Sequence, residues 1–433
     1  MSPMNSDSRG SFGNRNARPA SRRDTARVES RAGSRSTDRV DGRPGKPDTA
    51  RVRRAASDRR WRVTVVAPAL EFNGLTLYTL TLVRALLEMG NAVQLLAPRG
   101  PLHHSLGGLD VQVIPLPPAR QKLGFFGWRK LRAAVESFGP DVLHAVSPDL
   151  DLPGVRLADA LERSLCVTIH GIKTHELPKV EDTDFDGYIA CDAAVRERLV
   201  NDCLLPRRLV TQIGLAVSPM RAPEEAHVMD PRATPAVGML GPLEDSVGFG
   251  AFLDAAGRIG NKSNDTIFTI LGDGPRRSEV RKMAEDRGLL QRVVLVDRLF
   301  DYSLAWRPFD IIYVDTRQPA AGMMLLSAMA FGLPVVATEG GAVFELVEDG
   351  VDGLLVHRDD AEGLAQRFML LIDNHQERLR MGRAAYERVE QEFSPQSMAL
   401  ALMDTYAALV AGEPLPLRGE GAQGPRRPTR SIK

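Results

Sequence analysis

The sequence is poor in the residues that build metal centres and disulfide frameworks. It holds 3 cysteines in 433 residues, Cys166, Cys191 and Cys203. Neither their number nor their spacing suits a metal site or a full set of disulfides, so they read as reduced thiols in a reducing cytosol. The 8 histidines are scattered, which argues against a metal cluster, and no cofactor is expected. No apolar run reaches the ~18 residues that a membrane-spanning helix requires. The N-terminus has no apolar stretch of the secretory kind. A cytoplasmic protein is expected, with peripheral attachment to a membrane left open.

What is present fits a soluble globular chain, 43% hydrophobic and 26% charged. Its length exceeds one ordinary core and predicts two domains. The net charge of +1 hides an asymmetry. Residues 1–60 carry 16 Lys and Arg against 7 Asp and Glu, while the remainder carries 40 against 48. Residues 1–60 hold almost no large apolar side chains and cannot offset the entropy of ordering, so they are expected to form a disordered basic tail. Such a tail serves either as a solubilising segment or as a tether to an acidic partner such as nucleic acid or anionic lipid. Residues 414–433 repeat this composition more weakly, with Arg418, Arg426, Arg427, Arg430 and Lys433.

Between the tails, strand and helix patterns alternate. Arg62–Val66 is a short run rich in β-branched residues and predicts a buried first strand. Residues 75–89 place Leu77, Leu80, Val83, Leu86 and Leu87 at helical spacing, and Gly90-Asn91 ends the helix. Val93–Ala97, Val111–Pro115, Val142–Ala145 and Val167–His170 continue the strands. A loop-like stretch over residues 221–235 separates this series from a second. There the strands are Ala236–Leu240, Ile267–Leu271, Val293–Val296, Ile311–Val314, Pro334–Thr338 and Gly353–Val356, and a last helix covers Pro395–Ala411. Helical crossovers between strands call for parallel sheets covered on both faces. The expected architecture is α/β: two Rossmann-like, doubly wound domains over 61–225 and 235–411 that face a cleft, with the last helix returning to the first domain.

Several segments resemble family 4 glycosyltransferases, in order as well as in letters. Pro140-Asp141-Val142-Leu143-His144 is similar to the family's "PDVVH" element, and Thr168-Ile169-His170-Gly171 to its "T-x-H-G" element. Residues 187–196 resemble a third segment, and Leu271-Gly272-Asp273-Gly274-Pro275 matches a "G-D-G-P" turn. The longest match is residues 325–338, which follow "LLEAMAxGxPVVAT", continued by Gly340-Gly341, Glu345, Asp349-Gly350 and Gly353–Val356. The resemblance spans residues 61–411. It implies the GT-B fold, with an acceptor-side and a nucleotide-sugar-side domain. The implied activity is sugar transfer from a UDP- or GDP-sugar to a glycan, lipid or small-molecule acceptor with retention.

In that reaction negative charge grows on a leaving diphosphate and must meet preorganised donors or cations. The resemblance implies an Arg and a Lys after the second domain's first strand, and a Glu-x7-Glu pair. This sequence has Met239 in place of the Arg, Glu244-Asp245 near the Lys, and Pro319 and Ser327 in place of the two Glu. What remains is backbone N–H groups at helix starts, near Gly74 and Gly322. By resemblance the donor-side residues are Gly74, Gly272, Gly274, Gly322, Ser327 and Glu345, and His170 contacts the sugar. Among Lys173, Arg276, Arg277 and Arg317, the last is the first candidate to replace the missing cations, since it lies two residues before Pro319. An active enzyme with a remodelled donor site competes with a catalytically silent GT-B protein that binds a nucleotide sugar or a partner glycosyltransferase. A scaffold with basic tails and a nucleotide-sugar epimerase are weaker alternatives.

Overall fold

The computed structural model describes residues 59–117, 123–148, 153–171, 185–220, 234–243, 248–260, 266–296, 305–318 and 320–417. Of the expected tails over 1–60 and 414–433, residues 1–58 and 418–433 lie outside the described residues, as do 221–233, Lys173, Glu244, Asp245 and Pro319; residues 414–417 instead pack on the first domain, with Leu415 buried and its N–H donating to the Arg208 carbonyl.

Two parallel sheets form. The first has seven strands: β1 (Arg62–Val66), β2 (Ala92–Pro98), β3 (Val111–Leu116), β4 (Val142–Ala145), β5 (Ser164–Ile169), β6 (Gly187–Ala190) and β7 (Val210–Gln212), in the order β3-β2-β1-β4-β5-β6-β7. The second has six: β8 (Ala236–Leu240), β9 (Ile267–Leu271), β10 (Val293–Val296), β11 (Ile311–Val314), β12 (Val335–Thr338) and β13 (Leu354–Val356), in the order β10-β9-β8-β11-β12-β13. Each sheet starts at its centre and winds outward both ways, so β1 and β8 each border a topological switch point. Central strands such as β1 and β11 are buried along nearly their whole length. Cover on both faces therefore produces continuous apolar runs.

The helices that position the site are α1 (Gly74–Glu88), α2 (Phe125–Phe138), α3 (Pro153–Leu161), α4 (Ala193–Asn201), α5 (Phe249–Gly260), α6 (Arg277–Asp286), α7 (Ala321–Ala330) and α8 (Val343–Leu346). Three more close the chain: α9 (Ala361–Asp373), α10 (His375–Glu392) and α11 (Pro395–Ala411). Asn73 caps α1 by accepting a hydrogen bond from Thr76 N at 2.9 Å, and Asp192 caps α4 through Val195 N at 2.7 Å. α11 lies on the first sheet, although it follows the second in sequence. Trp61 meets Tyr406 edge-on at 6.1 Å, and a Cβ on Gly187 would stand 2.8 Å from a Leu409 methyl.

The structure departs from the sequence reading in detail. β6 and β7 are strands of 4 and 3 residues, too short for a periodicity to show. The connection between β2 and β3 is not a regular α-helix but a 3-10 segment over Pro101–Leu106; Pro101 starts it and Gly107-Gly108 end it. β5 stops at Ile169, so His170 stands just beyond the strand.

Candidate functional site

The starts of α1 and α7 meet. Gly74, the first residue of α1, has no room for a side chain, because a Cβ there would run into the Ala320 carbonyl oxygen. Ala320 takes a left-handed conformation, φ 52°, unusual for a residue with a Cβ. At the start of α1 the Asn73 side chain takes the Thr76 N–H, and at the start of α7 Ala321 N donates to the Gln318 carbonyl at 3.2 Å. Each start also carries the positive end of a helix dipole, and the two meet where the domains touch. Beside them, Gly322 packs among apolar groups. A Cβ at Gly322 would lie 2.7 Å from Leu215 Cδ1 and 3.2 Å from Leu346 Cδ1.

His170 is placed by the end of β5 and by Tyr78 of α1, whose ring it meets edge-on at 4.4 Å. Both of its ring nitrogens are buried without a hydrogen-bond partner. Burial pushes its pKa down to about 4, and the Val146 backbone pulls the other way. The imidazole is therefore neutral near pH 7, with one donor and one acceptor to offer.

Behind it runs a buried polar chain. The Tyr78 hydroxyl lies 3.0 Å from Thr168 Oγ1, Thr168 Oγ1 lies 2.8 Å from His144 Nε2, and His144 Nδ1 lies 2.7 Å from the Tyr406 hydroxyl. His144 pairs with Cys166 across β4 and β5, so Thr168, two residues on, shares its face of the sheet. Burial first, and His170 second, push the His144 pKa down to about 3. Tyr78, Thr168, His144 and Tyr406 were not recognised as a group from sequence. Their link is tertiary, and the only available signal was the match of His144 and Thr168 to two separate family elements.

Arg317 sits at the rim of the second sheet and is held by carboxylates. Its backbone N and Nε donate to Asp315 Oδ1 at 3.0 and 2.9 Å, and Nη2 donates to Asp315 Oδ2 at 2.7 Å. Nη1 pairs with Asp359 at 2.9 Å. Asp315 is fully buried, and the hydrogen bond to it is the main reason that Arg317 holds its proton more tightly than usual. The charge expected to meet a phosphate is thus already met by two anions. Arg276 pairs with Glu279 at 2.7 Å, and Arg277 donates to the Leu295 carbonyl at 3.1 Å.

The remaining expected residues take three different places. The Gly272-Asp273-Gly274 turn nests on the end of β8: Leu243 N donates to the Asp273 carbonyl at 3.0 Å, and Gly272 has no room for a Cβ beside the Gly241 carbonyl. Ser327 is fully buried inside α7, its hydroxyl donating to the Met323 carbonyl at 2.7 Å. Glu345 crosses to the first domain, accepting a hydrogen bond from Ala193 N at the start of α4 at 2.8 Å, with Gln212 Nε2 at 3.4 Å. Burial is the main cause of its raised pKa. Met239 is buried in the core of the second domain. Gly74 thus touches Ala320, Glu345 reaches the first domain, and Ser327 is turned back into its own helix. Among the described residues no group of His, Cys, Asp and Glu could hold a metal ion.

The two parallel-sheet domains have the GT-B fold. Residues 72–221 match the family Glycosyltransferase Family 4, and residues 234–374 match Glycosyl transferases group 1. Each domain is thus similar to glycosyltransferases of the family 4 type, on a GT-B fold. It is 28% identical over 197 residues to the lipopolysaccharide core biosynthesis glycosyltransferase LpsE of Rhizobium meliloti, covering 45% of this chain and 54% of that protein. It is 26% identical over 298 residues to the glycogen synthase of Mycobacterium tuberculosis, covering 65% of this chain and 72% of that protein. In fold it resembles Anabaena HepE, solved in complex with UDP-glucose, with a TM-score of 0.67 and 17% identity over 81% of this chain and 100% of that one. A glycosyltransferase from Rickettsia africae superposes with a TM-score of 0.65 at 17% identity, over 81% and 99% of the two chains. Among the described residues no helix is long and apolar enough to cross a membrane.

Proposed function

We propose that this protein transfers a sugar, with retention, from a UDP- or GDP-sugar to a glycan, lipid or small-molecule acceptor. The observation that carries the reading is His170 just beyond the end of β5, neutral and with both ring nitrogens without a hydrogen-bond partner among the described residues. A buried polar group without a partner costs about 1–3 kcal/mol, so it is retained where a ligand completes it. Sugar hydroxyls, each both donor and acceptor, suit a neutral imidazole. The helix starts near Gly74 and Gly322 are to supply N–H groups where charge develops on the leaving diphosphate. Arg317, anchored by Asp315 and Asp359, adds an oriented guanidinium edge rather than an uncompensated charge. UDP-glucose, the ligand of the solved HepE, gives the first donor to test.

Calorimetric titration with UDP, GDP, UDP-glucose and GDP-mannose tests the reading, together with an assay for diphosphate release. The unmodified protein is expected to bind one nucleotide family and its sugar conjugate. His170→Ala should weaken the sugar nucleotide about tenfold, the effect of ~1.4 kcal/mol. Arg317→Ala should weaken the diphosphate by less than about tenfold, since its charge is already compensated. Binding without turnover would favour the silent alternative, and absence of binding to all four ligands would sink the proposal.

A further inference from the structure

Gln318 occupies the topological switch point of the second sheet, between the ends of β8 and β11, where open parallel sheets take ligands. Its side chain lies across the end of β8. A Cβ on Gly241 would overlap the Gln318 amide oxygen and stand 2.9 Å from Nε2, so residue 241 leaves room for the amide only by being glycine. Gln318 is 7% exposed, and its Nε2 has no hydrogen-bond partner among the described residues.

An amide buried in this way costs roughly 1–3 kcal/mol relative to an apolar group of the same shape. A methionine would fill the space without that cost. The same short segment carries a second unfavourable feature two residues on, the left-handed Ala320 against Gly74. Costs of this kind collect where a site is held ready for a ligand. Two further unpartnered buried groups lie on the facing domain, the His170 ring and the hydroxyl of Thr76 in the first turn of α1.

Local charge indicates which part of a ligand the amide reads. Beside Gln318, Asp315 and Asp359 share the single guanidinium of Arg317. That guanidinium is thereby compensated and draws a further anion only weakly, which matters little to a neutral hydroxyl. From these observations we infer that Gln318 is a binding residue for the transferred sugar, its Nε2–H donating to a hydroxyl oxygen of the donor's sugar ring. The inference rests on the proposed nucleotide-sugar reading of the cleft.

Gln318→Met keeps the volume and removes the amide; Gln318→Ala removes both. Each full-length variant is titrated by calorimetry with UDP-glucose and GDP-mannose, and with UDP and GDP alone. Both variants are expected to lose about tenfold in affinity for the sugar nucleotide that the unmodified protein binds, and to keep the affinity for its diphosphate within about twofold. Removing an unpaired amide should leave the thermal midpoint of Gln318→Met at or above that of the unmodified protein. Three results would overturn the inference: unchanged sugar-nucleotide affinity in Gln318→Met, an equal loss for the bare diphosphate, or a midpoint lowered by several degrees. If the unmodified protein binds no nucleotide at all, the proposed function fails, and this inference with it. If it binds and Gln318→Met binds equally well, only the role of Gln318 fails.

Discussion

Single residues here are constrained by the space and polarity around them. His144 and His170 are buried with pKa values pushed down from 6.5 to about 3 and about 4. Between those values and 6.5 the unfolded chain binds more protons than the folded one, so stability rises with pH and falls on acidification. Each histidine should cost about 2 kcal/mol of stability at pH 5 relative to neutral pH. Asp192, Glu345 and Asp352, raised mainly by burial, act in the opposite sense. The contribution of His144 is therefore read as a difference. Urea unfolding of His144→Gln should show a shallower loss of stability between pH 7.5 and 5 than the unmodified protein; an equal slope would rule out a titrating His144. Gly74 makes a steric counterpart. Gly74→Ala forces a Cβ onto Ala320 and should cost about 1–3 kcal/mol. At Gly171, where a Cβ meets nothing within 4 Å, alanine should leave the thermal midpoint unchanged to within a degree or two.

At the scale of elements, α11 is the piece whose place its sequence position does not reveal. It follows the second domain but buries Tyr406 against the first sheet, where the hydroxyl meets His144. The chain from Tyr406 through His144 and Thr168 to Tyr78 connects this helix to the ring that packs on His170. Tyr406→Phe leaves a buried imidazole nitrogen without its partner and should cost about 1–3 kcal/mol. Thr168→Val breaks the same chain at its middle. The two changes together should cost less than the sum of their separate effects, because each removes part of one network. Strict additivity in denaturant unfolding would show that the four side chains act independently.

For the whole molecule, the contact of interest is Glu345, which reaches from the second domain to the first turn of α4 in the first. Its carboxylate satisfies an N–H group that the helix leaves open. Glu345→Ala should expose that group and loosen the cleft. The expected result is faster hydrogen exchange at the Ala193 amide, with β6 amides unchanged, and a larger radius of gyration by solution scattering. An Ala193 amide as protected as before would show that the bridge does not hold the domains.

The sequence by itself determined the α/β class and both doubly wound sheets, because buried parallel strands must be continuous apolar runs and crossover helices must repeat. Val63, Val65 and Leu143 could hardly occur elsewhere. The family resemblance also brought His170, Gly74 and the Gly272 turn to attention. Tertiary structure alone decided what these residues do. Nothing in the order Asp315-Thr316-Arg317-Gln318 tells that the arginine spends its charge on two carboxylates while the glutamine amide stays unpaired. Ser327 stands in a recognisable motif, yet its hydroxyl turns back to Met323, and Glu345 reaches across to the other domain. Backbone pattern is local and repeats every few residues, so it can be read along the chain. Hydrogen-bond partners and charge compensation depend on groups far apart in sequence, 262 residues for His144 and Tyr406, and folding alone brings those together.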